Sequence, residues 1–277
     1  MTFPLVTAGA ANLTIVGRWE VTAFVALVGV IFGSFLNVVV YRVPRHLSVV
    51  EPRSFCPHCD TPVRPVDNVP VVSWVLLGGR CHHCREPISV RYPLVELATA
   101  AVFAAVGWGL GPHWAVPGFC VLAATLVALV AVERDGLAPP MSVAVIGTAV
   151  GAVLLVAAGV ADHRWTHLIG LAIGMAVAGA LNGVGTRRRS PQADSSSWTS
   201  ALPVLLPVGA GLGWLGPVYA GEGLATAAVL LLVSAGVRRW RPPPSTDQRR
   251  GLLGLALAAG LVVAVAVAVG VGAGAGY

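Results

Sequence analysis

There is no lysine among the 277 residues, and only 11% of them are charged. A soluble domain carries about 25% charged residues, so the deficit excludes an ordinary water-soluble globule and points to lipid. The first twenty residues lack a basic segment followed by a short apolar core, so no removable signal peptide is expected. Neither a glycine-rich nucleotide fingerprint nor a convincing internal repeat is evident.

What the chain has in abundance is apolar length, with a mean hydropathy of +0.79. Eight runs approach the ~20 residues that cross a bilayer: 21–41, 93–111, 115–132, 141–161, 167–186, 200–216, 218–237 and 251–276. The runs at 115–132 and 200–216 are short and contain or border prolines, which membrane helices tolerate where neighbours satisfy the freed backbone groups. Gly and Ala crowd the last run, and such small residues let membrane helices approach closely. The expected fold class is an all-α integral membrane protein of about eight transmembrane helices.

Orientation follows from the basic residues. With eight spans, sixteen of the eighteen arginines fall on one side, and only Arg18 and Arg164 fall on the other. The rich side is expected to be the cytosol, with both termini outside. The net charge of +6 then reflects topology, and no nucleic-acid partner is expected. Three parts are anticipated: 1–41, an outer N-terminus and first helix; 42–92, a cytosolic loop domain; and 93–277, a seven-helix membrane domain. The connections 187–199 and 238–250 are rich in Pro, Ser and Arg and read as loops.

The loop domain carries Cys56-Pro57-His58-Cys59 and Cys81-His82-His83-Cys84, two C-x-x-C pairs 21 residues apart. Two such turns offer four thiolates to one tetrahedral ion, with Zn–S near ~2.3 Å, and the spacing is close to a known zinc pattern. Structural disulfides are rare in the cytosol, so Cys56, Cys59, Cys81 and Cys84 are expected to hold structural zinc. His58, His82 and His83 could substitute for a cysteine, although four sulfurs already close the shell. Cys120, inside an apolar run, reads as a small buried hydrophobe.

Four stretches are diagnostic: GSFLNVVVYRVP (Gly33–Pro44), FCPHC (Phe55–Cys59), DNVPVVSWVLLGGRCHHC (Asp67–Cys84) and PISVRYPLVELATA (Pro87–Ala100). Together they resemble the N-terminal domain of bifunctional prepilin peptidases. That resemblance implies a protease of the bacterial inner membrane. It would cut the basic leader from type IV prepilins or type II secretion pseudopilins at the cytosolic face, then methylate the new N-terminus with S-adenosylmethionine. Within the matched stretches, Asn37 calls for a helix–helix hydrogen bond or a place in the cleft. Glu96 suits a helix N-terminus, and Asp67-Asn68 reads as a turn.

The family resemblance also implies two catalytic aspartates, and here the chain departs from it. The first family aspartate precedes a proline by about seven residues. The matching stretch reads AVERDGLAPPM, and aligning Pro140 puts Glu133 at that position. Asp135 is read as a polar helix-end residue paired with Arg134. The family's second aspartate sits in a Gly-x-Gly-Asp motif, and the expected window, 194–201, reads DSSSWTSA. Anchoring on Gly211–Trp214 puts the expected acid near Ala201, and Asp194 is the only carboxylate in that loop. Glu133 and Asp194 are therefore the candidate pair of a membrane aspartic protease. The rival readings are a non-catalytic relative that binds pilin precursors or assembles pilus machinery, and an unrelated membrane protein with the same metal module. Asp162, His163, Arg164 and His167 read as polar surface on the outer side.

Overall fold

The computed structural model describes residues 5–51, 53–163, 165–187 and 206–211. These residues are mostly helical, and no strand occurs among them. Six α-helices follow in order: α1 (Leu5–Arg42), α2 (Val72–Leu76), α3 (Arg91–Leu110), α4 (Val116–Arg134), α5 (Met141–Ala161) and α6 (Trp165–Arg187). Four stretches are long and apolar enough to cross a membrane: Gly17–Arg45, Arg91–Leu110, Val116–Arg134 and Met141–Ala161. They coincide with the first four expected spans. The fifth expected span falls within α6, whose apolar part is Trp165–Ala178. Of 200–216 only the helical stretch 206–211 is described, and 218–237 and 251–276 lie outside the described residues.

The pairing of α1 with α3 rests on absent side chains. A Cβ on Gly29 would come within 2.8 Å of the Ala100 Cα, and one on Gly33 within 2.5 Å of the Glu96 Cα. These two glycines, four apart, let the backbones touch where dispersion is the main attraction. Asn37 then donates from Nδ2 to the Tyr92 carbonyl at 3.1 Å, which is the helix–helix hydrogen bond expected of it. Helix α4 is the buried centre, with Phe119, Leu122, Leu129 and Val132 all fully enclosed. Cys120 is buried there too, as read from the sequence. The short 206–211 stretch rests on α6, where a Cβ on Gly209 would lie 2.8 Å from that of Ala178.

The chain returns from α1 through the cysteine module to an antiparallel α3, and short turns reverse it again between α3, α4, α5 and α6, which sorts the helix ends to two faces. One face collects the end of α1, the start of α3, the end of α4 and the start of α5. The other holds Arg18, whose Cγ lies 3.2 Å from a Cβ built on Gly111. It also holds His113, whose Nε2 lies 3.2 Å from Asp162 Oδ2. Because His113 Nδ1 accepts from the Ala115 amide at 3.0 Å, the neutral ring carries its proton on Nε2, facing that carboxylate. Asp162 thus links the turn before α4 to the turn after α5.

Candidate metal centre and helix-end acid

Between α1 and α3 the chain builds two turns of the same design. Asp60 N bonds to Cys56 O at 2.8 Å and Cys56 N to Thr61 O at 3.0 Å. Arg85 N bonds to Cys81 O at 3.1 Å and Cys81 N to Glu86 O at 2.8 Å. Each turn has its fifth residue in the left-handed region, Asp60 at φ 51° and Arg85 at φ 62°. An antiparallel bridge closes each, Phe55 with Pro62 and Arg80 with Pro87. The sequence carries this duplication as C-x-x-C-x-x-P at Cys56–Pro62 and again at Cys81–Pro87. The unit is only seven residues long, too short to stand out as an internal repeat.

The two turns bring Cys56, Cys59, Cys81 and Cys84 together, with all four sulfurs within 4.8 Å of one another. Cys56 Sγ and Cys84 Sγ are 3.8 Å apart. A disulfide needs about 2.05 Å, whereas a tetrahedral ion with ~2.3 Å metal–sulfur bonds separates its sulfurs by about 3.8 Å. The donor set therefore fits a metal ion and not a pair of disulfides. Hydrogen bonds from Thr61 lower the Cys59 thiol. The amides of Cys84 and His83 bring Cys81 down to about 7. The Glu86 amide favours a Cys84 thiolate, but desolvation and the three neighbouring sulfurs outweigh it and push that thiol up to about 12. His58, His82 and His83 are exposed and stand outside the sulfur group.

The loop between the turns is held from both sides. Arg64 grips Asp67 with Nε to Oδ2 at 2.7 Å and Nη2 to Oδ1 at 3.1 Å, which holds the Asp67 carboxyl below its usual range. Arg64 Nη2 also reaches His82 Nδ1 at 3.0 Å, joining this loop to the second turn. Below them Glu96 is buried at 6% exposure, and its Oε2 accepts the Val71 amide at 2.7 Å. The sequence explained Glu96 by the helix dipole alone. Its partners are instead a backbone donor 25 residues upstream and the Ser34 side chain on α1.

Glu133 lies at the end of α4, buried at 6% exposure. The helix stops in a Schellman motif: Leu137 N bonds to Val132 O at 3.3 Å, Gly136 N to Glu133 O at 3.0 Å, and Gly136 has φ 73°. Glycine carries that left-handed conformation without strain. Asp135 pairs with Arg91 at 2.7 Å, not with Arg134 as the sequence suggested. Adjacent helix residues point in different directions, whereas Arg91 opens the neighbouring helix on the same face. Through this pair the exit of the cysteine module is fastened to the helix end that carries Glu133. Asp194 lies outside the described residues, so its distance from Glu133 is not defined.

A family model described as Bacterial Peptidase A24 N-terminal domain matches residues 27–110. The prepilin leader peptidase/N-methyltransferase of Myxococcus xanthus is 34% identical over 231 residues, 82% of this chain and 68% of that protein. Proteins of the same name from Neisseria gonorrhoeae and Aeromonas hydrophila are each 37% identical, over 40% and 44% of this chain. The matched stretch spans about half the length of these two relatives, 47% and 50%. No solved structure matches the chain. The cysteine module, the C-terminal part of α1 and the whole of α3 lie within the family-model match, and the Myxococcus relative extends the likeness well past it. The chain belongs to the prepilin leader peptidase/N-methyltransferase family.

Proposed function

We propose that this chain is a prepilin peptidase of the bacterial inner membrane, cutting the basic leader from a type IV prepilin or pseudopilin at the cytosolic face. The carrying observation is Glu133, a carboxylate buried at a helix end and aligned with the family's first acid. Its face of the bundle also bears the cysteine module, through Arg91 and Asp135. In this reading Glu133 takes a proton from the attacking water, and a second acid gives one to the leaving amine. Asp194 is the proposed second acid. Methylation of the new N-terminus from S-adenosylmethionine is the further step that the relatives' printed name suggests.

The proposed architecture has eight spans and the parts 1–41, 42–92 and 93–277, with the middle part cytosolic. Nine arginines from Arg42 to Arg187 belong to the helix ends and loops of the module's face, which supports that orientation. Zinc is the proposed ion at Cys56, Cys59, Cys81 and Cys84, where it would close a tetrahedral shell and hold the two turns together.

The second reading is a non-catalytic member that binds prepilin, favoured by Glu133 in place of aspartate and by the missing Gly-x-Gly-Asp motif. The deciding experiment co-expresses the chain with its cognate prepilin and reads leader removal as a size shift. Cleavage that is lost in Glu133→Gln and in Asp194→Asn supports the first reading. Absence of cleavage by the unaltered chain supports the second, and full cleavage by the double variant eliminates this pair of acids.

A further inference from the structure

From Asn68 to Gly79 the chain has no charged residue; Asp67, paired with Arg64, precedes the run and Arg80 follows it. Within this run α2 exposes Val72, Val75 and Leu76, the last two at 63% and 80%. Residues three and four apart share a helix face, so these three form one apolar stripe. The opposite face of α2 is already engaged. Ser73 is buried, accepting from the Val69 amide at 2.9 Å and donating to Val66 O at 2.9 Å. Trp74 Nε1 donates to Ile88 O at 3.1 Å. The Trp74 ring closes on Gly79, where a Cβ would come within 2.8 Å of it. The stripe therefore cannot be buried by rolling the helix over.

The height of α2 is fixed by Val71. Val72 N donates to Pro70 O at 2.6 Å, with Val71 at φ 60° and ψ −51°, the rare γ-turn of positive φ. This turn releases the Val71 amide to Glu96. Glu96 lies about 7.5 Å along α3 from Arg91, at 1.5 Å per residue. Helical side chains lean back toward the N-terminus, which returns Val71 to the level of the first turn of α3. Arg91 and Tyr92 mark that level, a basic residue and an aromatic one at the boundary of a membrane span.

We infer that α2 lies in the interfacial layer of the bilayer, with Val72, Val75 and Leu76 among the acyl chains of the leaflet that meets Arg42 and Arg91. The occupant is a lipid surface because the stripe is tied at Val71 to a helix that itself crosses the membrane. Arg80, at the end of the charge-free run, is suited to headgroup phosphates. This inference rests on the membrane crossing of α1 and α3 and is independent of catalysis and of metal.

The test is Leu76→p-benzoylphenylalanine in the full chain, reconstituted in vesicles of phosphatidylcholine and phosphatidylglycerol, irradiated and analysed by mass. Glu86, exposed at the end of the second cysteine turn, is the aqueous reference. For a face buried ~5–10 Å into the interface, lipid adducts at 76 should exceed those at 86 by about tenfold. Equal lipid yields at the two positions overturn the inference. So do adducts at 76 that join the chain to itself or to a second copy. Should the substitution at 76 prevent assembly, the same comparison made at Val75 decides.

Discussion

Replacing Glu96 by alanine tests how the cysteine module is seated on the bundle. The change removes the acceptor of the Val71 amide while leaving every residue of the module in place. A buried donor left without a partner costs roughly 1–3 kcal/mol. The positive-φ turn at Val71 then loses the contact that holds it, and the segment opens. At 1.4 kcal/mol per tenfold, amide exchange in Asp67–Leu77 should accelerate by roughly 5- to 150-fold. Glu96→Gln keeps a carbonyl oxygen at the same reach, so its effect should stay within about fivefold, or roughly 1 kcal/mol. The assay is hydrogen exchange read by mass on the reconstituted chain, with peptides of α4 as the internal standard. Unchanged exchange in Glu96→Ala would refute the reasoning. Equal acceleration in the two variants would do the same, since it would show that the acceptor oxygen is not what matters.

Three further outcomes are expected. The purified chain should carry about one zinc by elemental analysis, lost in Cys59→Ser or Cys81→Ser; full retention in both would contradict the four-sulfur site. Zinc affinity should fall as pH falls, because bound thiolates must shed their protons. With Cys81 near 7 and Cys84 near 12, the fall should steepen below about pH 7, where Cys81 too is protonated in the metal-free module; competition with a chelator measures it. Arg91→Ala and Asp135→Asn should destabilise less together than the sum of each alone, with a coupling of about 0.5–3 kcal/mol; additive shifts in thermal unfolding would show that the 2.7 Å pair contributes nothing.

The four sulfurs were legible because thiolate pairs on a metal need a short local spacing, and that spacing survives in sequence. The first four spans were legible because lipid demands length and apolarity together. Asn37 was readable as a helix–helix contact, since a polar amide in a span must find a partner. The partners of Glu96 and Asp135 were not readable. Each lies across a helix boundary, 25 and 44 residues away, and is set by packing between elements that no local pattern marks. The role of Gly136 is written in the sequence as a glycine just after a charged helix end. Nothing about Asp194 follows from the described residues, and its place remains a proposal.

The close meeting of α1 and α3 has a consequence for the chain between them. Residues 43–90 leave one helix and return to its immediate neighbour, and the two helices are joined by the Asn37–Tyr92 hydrogen bond and the glycine contacts. The 48-residue excursion is therefore a long loop across a short gap. Loop-closure entropy grows only with the logarithm of length, at about 0.6 kcal/mol per doubling. Compared with a six-residue turn, the whole module adds three doublings, or about 2 kcal/mol. The helix pair can thus carry an appended cysteine module, or exchange it for another, at a cost comparable to that of one or two ordinary destabilising point mutations.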